Sequence, residues 1–311
     1  MTEIICGVDV SKRRLDAHVA PSGVFASFDN NPAGIADLAA FCRRHGVQLV
    51  AMEATGGFER MAFLLLWQAS IACGLTNPRS VRRYAEAMGI LEKTDRIDAA
   101  IIARFAVAKA LKPTTPPTAS QQRLNALVMR LRQVTDDLTV QKQRRSSATN
   151  REVANSIDEV IALLKRQART LEGEIGSMID DDPLWAQLDA ALRTKGLASR
   201  TVARLLAELP EIGVYSNKAV AKLAGLAPLA NDSGARAGKR HIRGGRAGIR
   251  SILFLIADIV RRFDQSLGAF HRKLTAQRKP KMVVRIPLAR KLLVRLNARA
   301  RQARAQYALA T

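Results

Sequence analysis

Glu3-Ile-Ile-Cys-Gly-Val-Asp9 is the stretch on which the fold turns. An apolar run of this length that stops at a carboxylate reads as a buried strand with its charge at the end. Working outward, residues 15–20 and 24–28 read as further strands, and Pro21-Ser22-Gly23 supplies the tight turn between them. A helix is expected over 33–44, stopped by Gly46. Gln48-Leu-Val-Ala-Met-Glu53 then repeats the opening pattern, an apolar strand ending in an acid, followed by Thr55-Gly56-Gly57. A helix near 58–70, a short strand at 71–76 and helices at 78–87 and 95–110 complete the region. Strands that first meander and then alternate with helices specify an α/β domain with a mixed sheet.

Lys112-Pro-Thr-Thr-Pro-Pro-Thr-Ala119 cannot continue a helix and marks a domain boundary. Beyond it Leu124, Leu127, Leu131, Val134 and Leu138 recur at steps of three and four. Val153, Ile157, Val160, Leu164, Leu171, Ile175 and Met178 continue the pattern, a heptad-like seam on long helices. Such a seam closes either within the chain, as a hairpin, or between two copies, as a coiled coil. Asp180-Asp-Asp-Pro183 ends it. Short helices broken by Gly and Pro follow, and the Leu209-Pro-Glu-Ile-Gly213 turn resembles a helix-hairpin-helix, which offers backbone amides to phosphates. Residues 229–247 read as a polar, Gly-rich loop, and basic helices fill the remainder. The expected division is 1–111, an α/β domain; 112–182, linker and long helices; and 183–311, a basic helical domain.

The chain has 311 residues and a formal net charge of +23, with 50 Lys and Arg against 27 Asp and Glu. Its 48 % hydrophobic content is enough to fill a core and argues against a disordered basic tail. The three cysteines, Cys6, Cys42 and Cys73, lie in apolar or amphipathic stretches, as buried thiols rather than a disulfide framework or a zinc site. No secretory h-region and no run of about 18 apolar residues occurs, so a soluble, cytoplasmic protein is expected. The charge is unevenly placed: residues 234–311 hold 20 of the basic side chains and 2 of the acidic ones. A field that concentrated attracts phosphates and implies a nucleic-acid partner.

The acids of the nearly neutral first domain are more telling. Asp9 and Glu53 each end an apolar strand, and Asp95 and Asp98 lie three apart on one face at a helix start. Separately, Asp95 reads as an N-cap and the other two as ordinary strand-end charges. Together they suit Mg²⁺, a hard ion that takes carboxylate oxygens and also binds phosphates. A strand-end Asp on a first strand, an acid on a later strand and an acidic pair on a helix resemble the RNase H/RuvC nuclease fold. In the second half, Ser233-Gly234 sits among cations: Lys239, Arg240, Arg243, Arg246 and Arg250. A hydroxyl there serves either as a nucleophile at a phosphate, with the cations stabilising developing charge, or only as a donor in a phosphate-binding loop.

Gly7-Val-Asp9-Val-Ser-Lys12, Met52-Glu53-Ala-Thr-Gly-Gly57-Phe58, Asn77-Pro-Arg79 and Lys93-Thr-Asp95-Arg-Ile-Asp98-Ala99 resemble, in order, the signature blocks of a family of insertion-sequence transposases. These are the bridge-RNA-guided recombinases with an N-terminal DEDD RuvC-like domain and a C-terminal serine transposase domain, to which the pilin-gene invertase is related. The block from Leu223 to Leu253 resembles their C-terminal segment. The resemblance implies that Asp9, Glu53, Asp95 and Asp98 form a Mg²⁺ site and that Ser233 forms a transient 5′-phosphoserine link to DNA. It implies strand exchange between donor and target DNA under a structured guide RNA, with base pairing supplying sequence recognition. It further implies homodimers pairing into tetramers through the long helices, with the DEDD domain of one protomer completing the serine site of another. Nucleoid association without membrane contact follows from that activity. Two alternatives stand beside it: a metal-dependent RuvC-like nuclease or junction resolvase with no covalent step, and a non-enzymatic nucleic-acid-binding protein.

Overall fold

The structure is a computed structural model that describes residues 3–54, 56–92, 94–230, 232, 238 and 240–310. Among these it has twelve helices and seven strands, divided between a unit ending at Pro117 and a second beginning at Thr118.

The first unit is built on a five-stranded sheet in the order β3-β2-β1-β4-β5. Strands β1 (Ile5–Val10), β2 (Arg14–Ala20) and β3 (Phe25–Asp29) form the antiparallel meander. Strands β4 (Leu49–Glu53) and β5 (Cys73–Thr76) extend it in parallel from β1. Because side chains alternate along a strand, each face has its own core. Cys6, Val8 and Val10 meet helices α1 (Pro32–Arg44) and α2 (Glu59–Gln68). Ile5, Leu49 and Ala51 meet α3 (Pro78–Ala87) and α4 (Asp95–Ala108) on the other side. The caps explain where these helices start: the side chains of Asn31, Asn77 and Thr94 each accept a backbone N–H of the first turn. Thr94 therefore caps α4, and Asp95 is its first helical residue rather than its cap. All three cysteines are buried and unpaired, and burial pushes the Cys73 thiol up to about 12.

The Pro/Thr segment does not swing free of this unit. The amide of Thr114 donates to the carbonyl of Cys73, and its hydroxyl accepts from Leu75. The first unit thus takes in residues 112–117 as a strap along β5, since prolines stop the helix without stopping backbone pairing at the residues between them.

The second unit is helical. Helices α5 (Ala119–Ser147) and α6 (Arg151–Asp180) form an intramolecular hairpin. Helices α7 (Pro183–Leu192), α8 (Ser199–Glu208), α9 (Asn217–Leu223), α10 (Ala247–Val260) and α11 (Gln265–Ala276) pack around α12 (Lys281–Ala310) and the hairpin base in one core. A ribbon of β6 (Pro228–Leu229) and β7 (His241–Ile242) stands between α9 and α10. The turn at 209–213 does not present its glycine amide outward. Gly213 lies under α12, and its N–H donates 2.8 Å to the carboxamide oxygen of the fully buried Asn297. The carbonyls of Pro210 and Ile212 accept from Arg304, so α12 covers the turn that a phosphate would have to reach.

Candidate active site

Gly7 determines how close α4 comes to the sheet. A Cβ on Gly7 would lie 2.2 Å from the carbonyl oxygen of Ala99 and 2.4 Å from the nitrogen of Ala103. With Ala99 and Ala103 as its facing residues, α4 lies on β1 almost backbone to backbone. Asp9 is two residues beyond Gly7 and so shares its face. Val8 pairs with Met52, which sets Glu53 beside Asp9 at the ends of the two parallel strands, on the face that Leu49 and Ala51 define. The first turn of α4 carries Asp95 and Asp98, where the helix dipole favours negative charge.

The proximity shows in the electrostatics. Burial, then the neighbouring Asp98 and Asp95 carboxylates, pushes Asp9 up to about 6; a hydrogen bond from the Val10 amide opposes the rise, and Asp16 adds to it. An acid whose pKa is raised by burial and by neighbouring acids is a place where a divalent cation would relieve repulsion, and the all-oxygen donors suit a hard ion. The carboxylates are neighbours rather than a closed ligand set: among the described residues no three metal-ligating side chains stand close enough to hold an ion.

Ser233 and Lys239 lie outside the described residues. The segment that contains them in sequence is closed at its foot, where Pro228 pairs with Ile242 and Leu229 with His241. Asp232 reaches across to accept the Gly238 amide at 3.0 Å. Below the ribbon, a Cβ on Gly245 would meet the nitrogen of Gly225 at 2.2 Å, so two glycine backbones touch there. The four nearby arginines divide by role. Arg240 and Arg243 are exposed. Arg246 forks onto Glu211 with two 2.6 Å contacts and also reaches the Glu208 carbonyl. Burial opposes ionisation of Glu211, but this hydrogen-bonded arginine outweighs it and holds the carboxyl below its usual range. Arg250 donates to the Gly244 carbonyl at 2.8 Å.

Two residues at the acid site escape the sequence reading. Asp16, 8 % exposed, pairs with Asp9 across β1 and β2 and therefore shares its face. His18 pairs with Gly7, two positions further along. The signal is present in β2, where Arg14, Asp16 and His18 alternate with Leu15, Ala17 and Val19.

A strand-end acid site on a mixed sheet, in a chain with a basic helical second unit, suits chemistry on the phosphates of a nucleic acid. Residues 6–153 match a family model described as Transposase, the DEDD domain of the IS110 type. Residues 189–272 match a second, Transposase IS116/IS110/IS902 family. The chain thus carries the two domains of an IS110-family transposase, an enzyme acting on DNA. It is 27 % identical, over 319 aligned positions, to the pilin gene-inverting proteins of Moraxella lacunata and of Moraxella bovis, spanning 98 % of each chain. Among solved structures, that of Thermus thermophilus RuvC aligns with 36 % of this chain and 99 % of its own, at 15 % identity and a TM-score of 0.27. No helix among the described residues is long and apolar enough to cross a membrane.

Proposed function

We propose that the protein is an RNA-guided DNA recombinase that cleaves donor and target DNA and exchanges their strands. The observation that carries this reading is the convergence of Asp98 and Asp95 on Asp9, in a chain that carries both transposase domains. Asp9, Glu53, Asp95 and Asp98 would hold Mg²⁺, which when bound lends positive charge to a phosphodiester and its leaving oxygen. Ser233 is the nucleophile: its Oγ bonds to phosphorus, the bond from phosphorus to the 3′ oxygen breaks, and the serine proton ends on the released 3′-hydroxyl. The 3′-hydroxyl of the partner strand then attacks the 5′-phosphoserine and frees the serine, which exchanges the strands with no external energy source. The relatives named for inverting a pilin gene fit this chemistry, because inversion is strand exchange at two sites of one DNA. A structured guide RNA pairing with both DNAs supplies sequence recognition, and the working species is a homodimer assembling to a tetramer.

The test is a covalent adduct. Protein, guide RNA and end-labelled DNA are incubated with Mg²⁺ and denatured, and the label is followed into the protein band. The expected result is an adduct from the parent that is lost in Ser233→Ala and in Asp9→Ala. Cleavage that survives Ser233→Ala without an adduct, yet disappears in Asp9→Ala, would establish a water-using nuclease instead. Full activity with alanine at all four acids would leave only a binding protein.

A further inference from the structure

The face of the sheet that carries Asp9 continues outward past α4 onto β2 and β3. On β2 it presents Arg14, Asp16 and His18, opposite Asp29, Ser27 and Phe25 of β3. The end of this strip near Arg14 is internally balanced, since Arg14 donates to Asp29 and to the Ser27 hydroxyl. The other end is not. Arg96 lies over the Phe25 ring, 5.5 Å from its centroid, and Arg104 follows two turns later on the same side of α4. The two are about 12 Å apart along the helix. Both are exposed, and among the described residues neither pairs with a carboxylate. His18 lies near both, with its Nδ1 buried beneath the strip and without a hydrogen-bond partner among those residues. Burial, then Arg104 and Arg96, lowers the His18 pKa, which places both guanidinium groups within electrostatic reach of the ring.

Two exposed arginines with no carboxylate partner among the described residues, gathered on one side of an acid site, form a receptor for anions. The stacking of Arg96 on Phe25 restricts its guanidinium before any ligand arrives, which reduces the entropy lost on binding. The strip starts one strand away from the Asp9 row, because Asp16 pairs with Asp9 and His18 with Gly7. We propose that Arg96, Arg104 and Phe25 seat the sugar–phosphate backbone of the DNA strand whose neighbouring phosphodiester lies at the carboxylates. The occupant is DNA because the enzyme acts on DNA and the strip opens beside the acids that would act. Arg96 and Arg104 take two successive contacts, and Phe25 serves as a positioning residue for Arg96. This assignment rests on the reading of the acids as the site of phosphodiester chemistry.

Binding of a fluorescent DNA duplex to the full-length protein, measured in EDTA over a range of salt, tests the seat without requiring cleavage. Each phosphate contact contributes about 0.9 to the slope of log K against log salt. Arg96→Gln/Arg104→Gln should lower that slope by about 1.8, so the affinity lost between about 50 and 200 mM salt shrinks by about 12-fold. Phe25→Leu should move it in the same direction by less. Arg44→Gln, at the end of α1 on the opposite face, should leave it unchanged. An unaltered slope in the double variant overturns the proposal, as does a change seen with an RNA probe and not with DNA. If the covalent adduct fails to form while the slope falls as stated, the seat stands and the recombinase reading is at fault.

Discussion

Asp9 shows how one residue carries both the cost and the purpose of the acid site. Its folded pKa, about 6, lies above its ordinary 3.8, so the fold favours the protonated form. That preference stabilises the chain fully below the ordinary value and is lost as pH climbs through about 6. Asp9→Asn, which keeps the shape and removes the charge, should therefore raise the thermal midpoint of the metal-free protein at pH 8. At pH 4 the same change should make little difference. Adding Mg²⁺ at pH 8 should raise the midpoint of the parent and not of the variant, and a parent that ignores Mg²⁺ would count against the metal site. Gly7 is the companion case. Gly7→Ala forces the backbone of α4 away from β1, at a cost of about 1–3 kcal/mol. It should also weaken the Mg²⁺ response, because Asp95 and Asp98 ride on that helix; denaturant midpoints with and without the ion would measure both. The strand-end acids were legible because an apolar run stopped by a carboxylate is a local pattern. Asp16 was not picked out, because its importance comes from pairing across a hairpin.

At the scale of elements, the meander, the parallel strands and the helices of the first unit follow their sequence patterns closely, since caps and turns are short-range signals. The long hairpin shows where that reasoning fails. The seam drawn from large side chains includes Ile175, which is buried, but also Val153 and Val160, which are 52 % and 39 % exposed, while Ala154, Ile161 and Ala168, outside it, are buried. Two helices of one hairpin approach closely over small residues, and alanine carries too little hydrophobic signal to be chosen over valine. The displaced valines, with Leu163 at 45 % exposure, leave an apolar edge on α6 suited to a second copy. If the proposed homodimer uses this edge, Val153→Glu/Val160→Glu should yield monomers in sedimentation while moving the thermal midpoint little; a dimer unaffected by both charges would place the contact elsewhere. Helix α12 supplies the opposite lesson. Asn297 accepts from Gly213 and donates to the Tyr215 carbonyl and to Asn217, three bonds to residues some 80 positions earlier. Nothing local announces such a contact, which is why the 209–213 turn looked available for phosphate. Asn297→Ala should destabilise the protein by about 1–3 kcal/mol in chemical denaturation, through buried groups left unpaired.

Across the whole molecule, the charge of +23 divides into two kinds of arginine that composition cannot separate. Some are fastened to acids, as Arg246 is to Glu211, and others, such as Arg240 and Arg243, are left in solvent. Replacing Arg240 and Arg243 together by Gln should reduce the salt dependence of DNA binding and leave stability near the parent. Arg246→Gln should do the reverse, since it strands a half-buried carboxylate. Its effect on the denaturation midpoint should be greatest at neutral pH. It should fade as pH falls through the depressed Glu211 value, where that carboxylate gains its proton and no longer needs a partner. Equal behaviour of the two variants would mean that the internal ion pair carries no weight.

The β6–β7 ribbon sets a leash on the residue proposed to attack DNA. Leu229, its last paired residue on the entering side, precedes Ser233 by only four positions. At about 3.5 Å per fully extended residue, the serine backbone can travel no more than about 14 Å from that anchor, and a shorter distance if the chain bends. The DNA must therefore be delivered to the serine, since the serine cannot search for it.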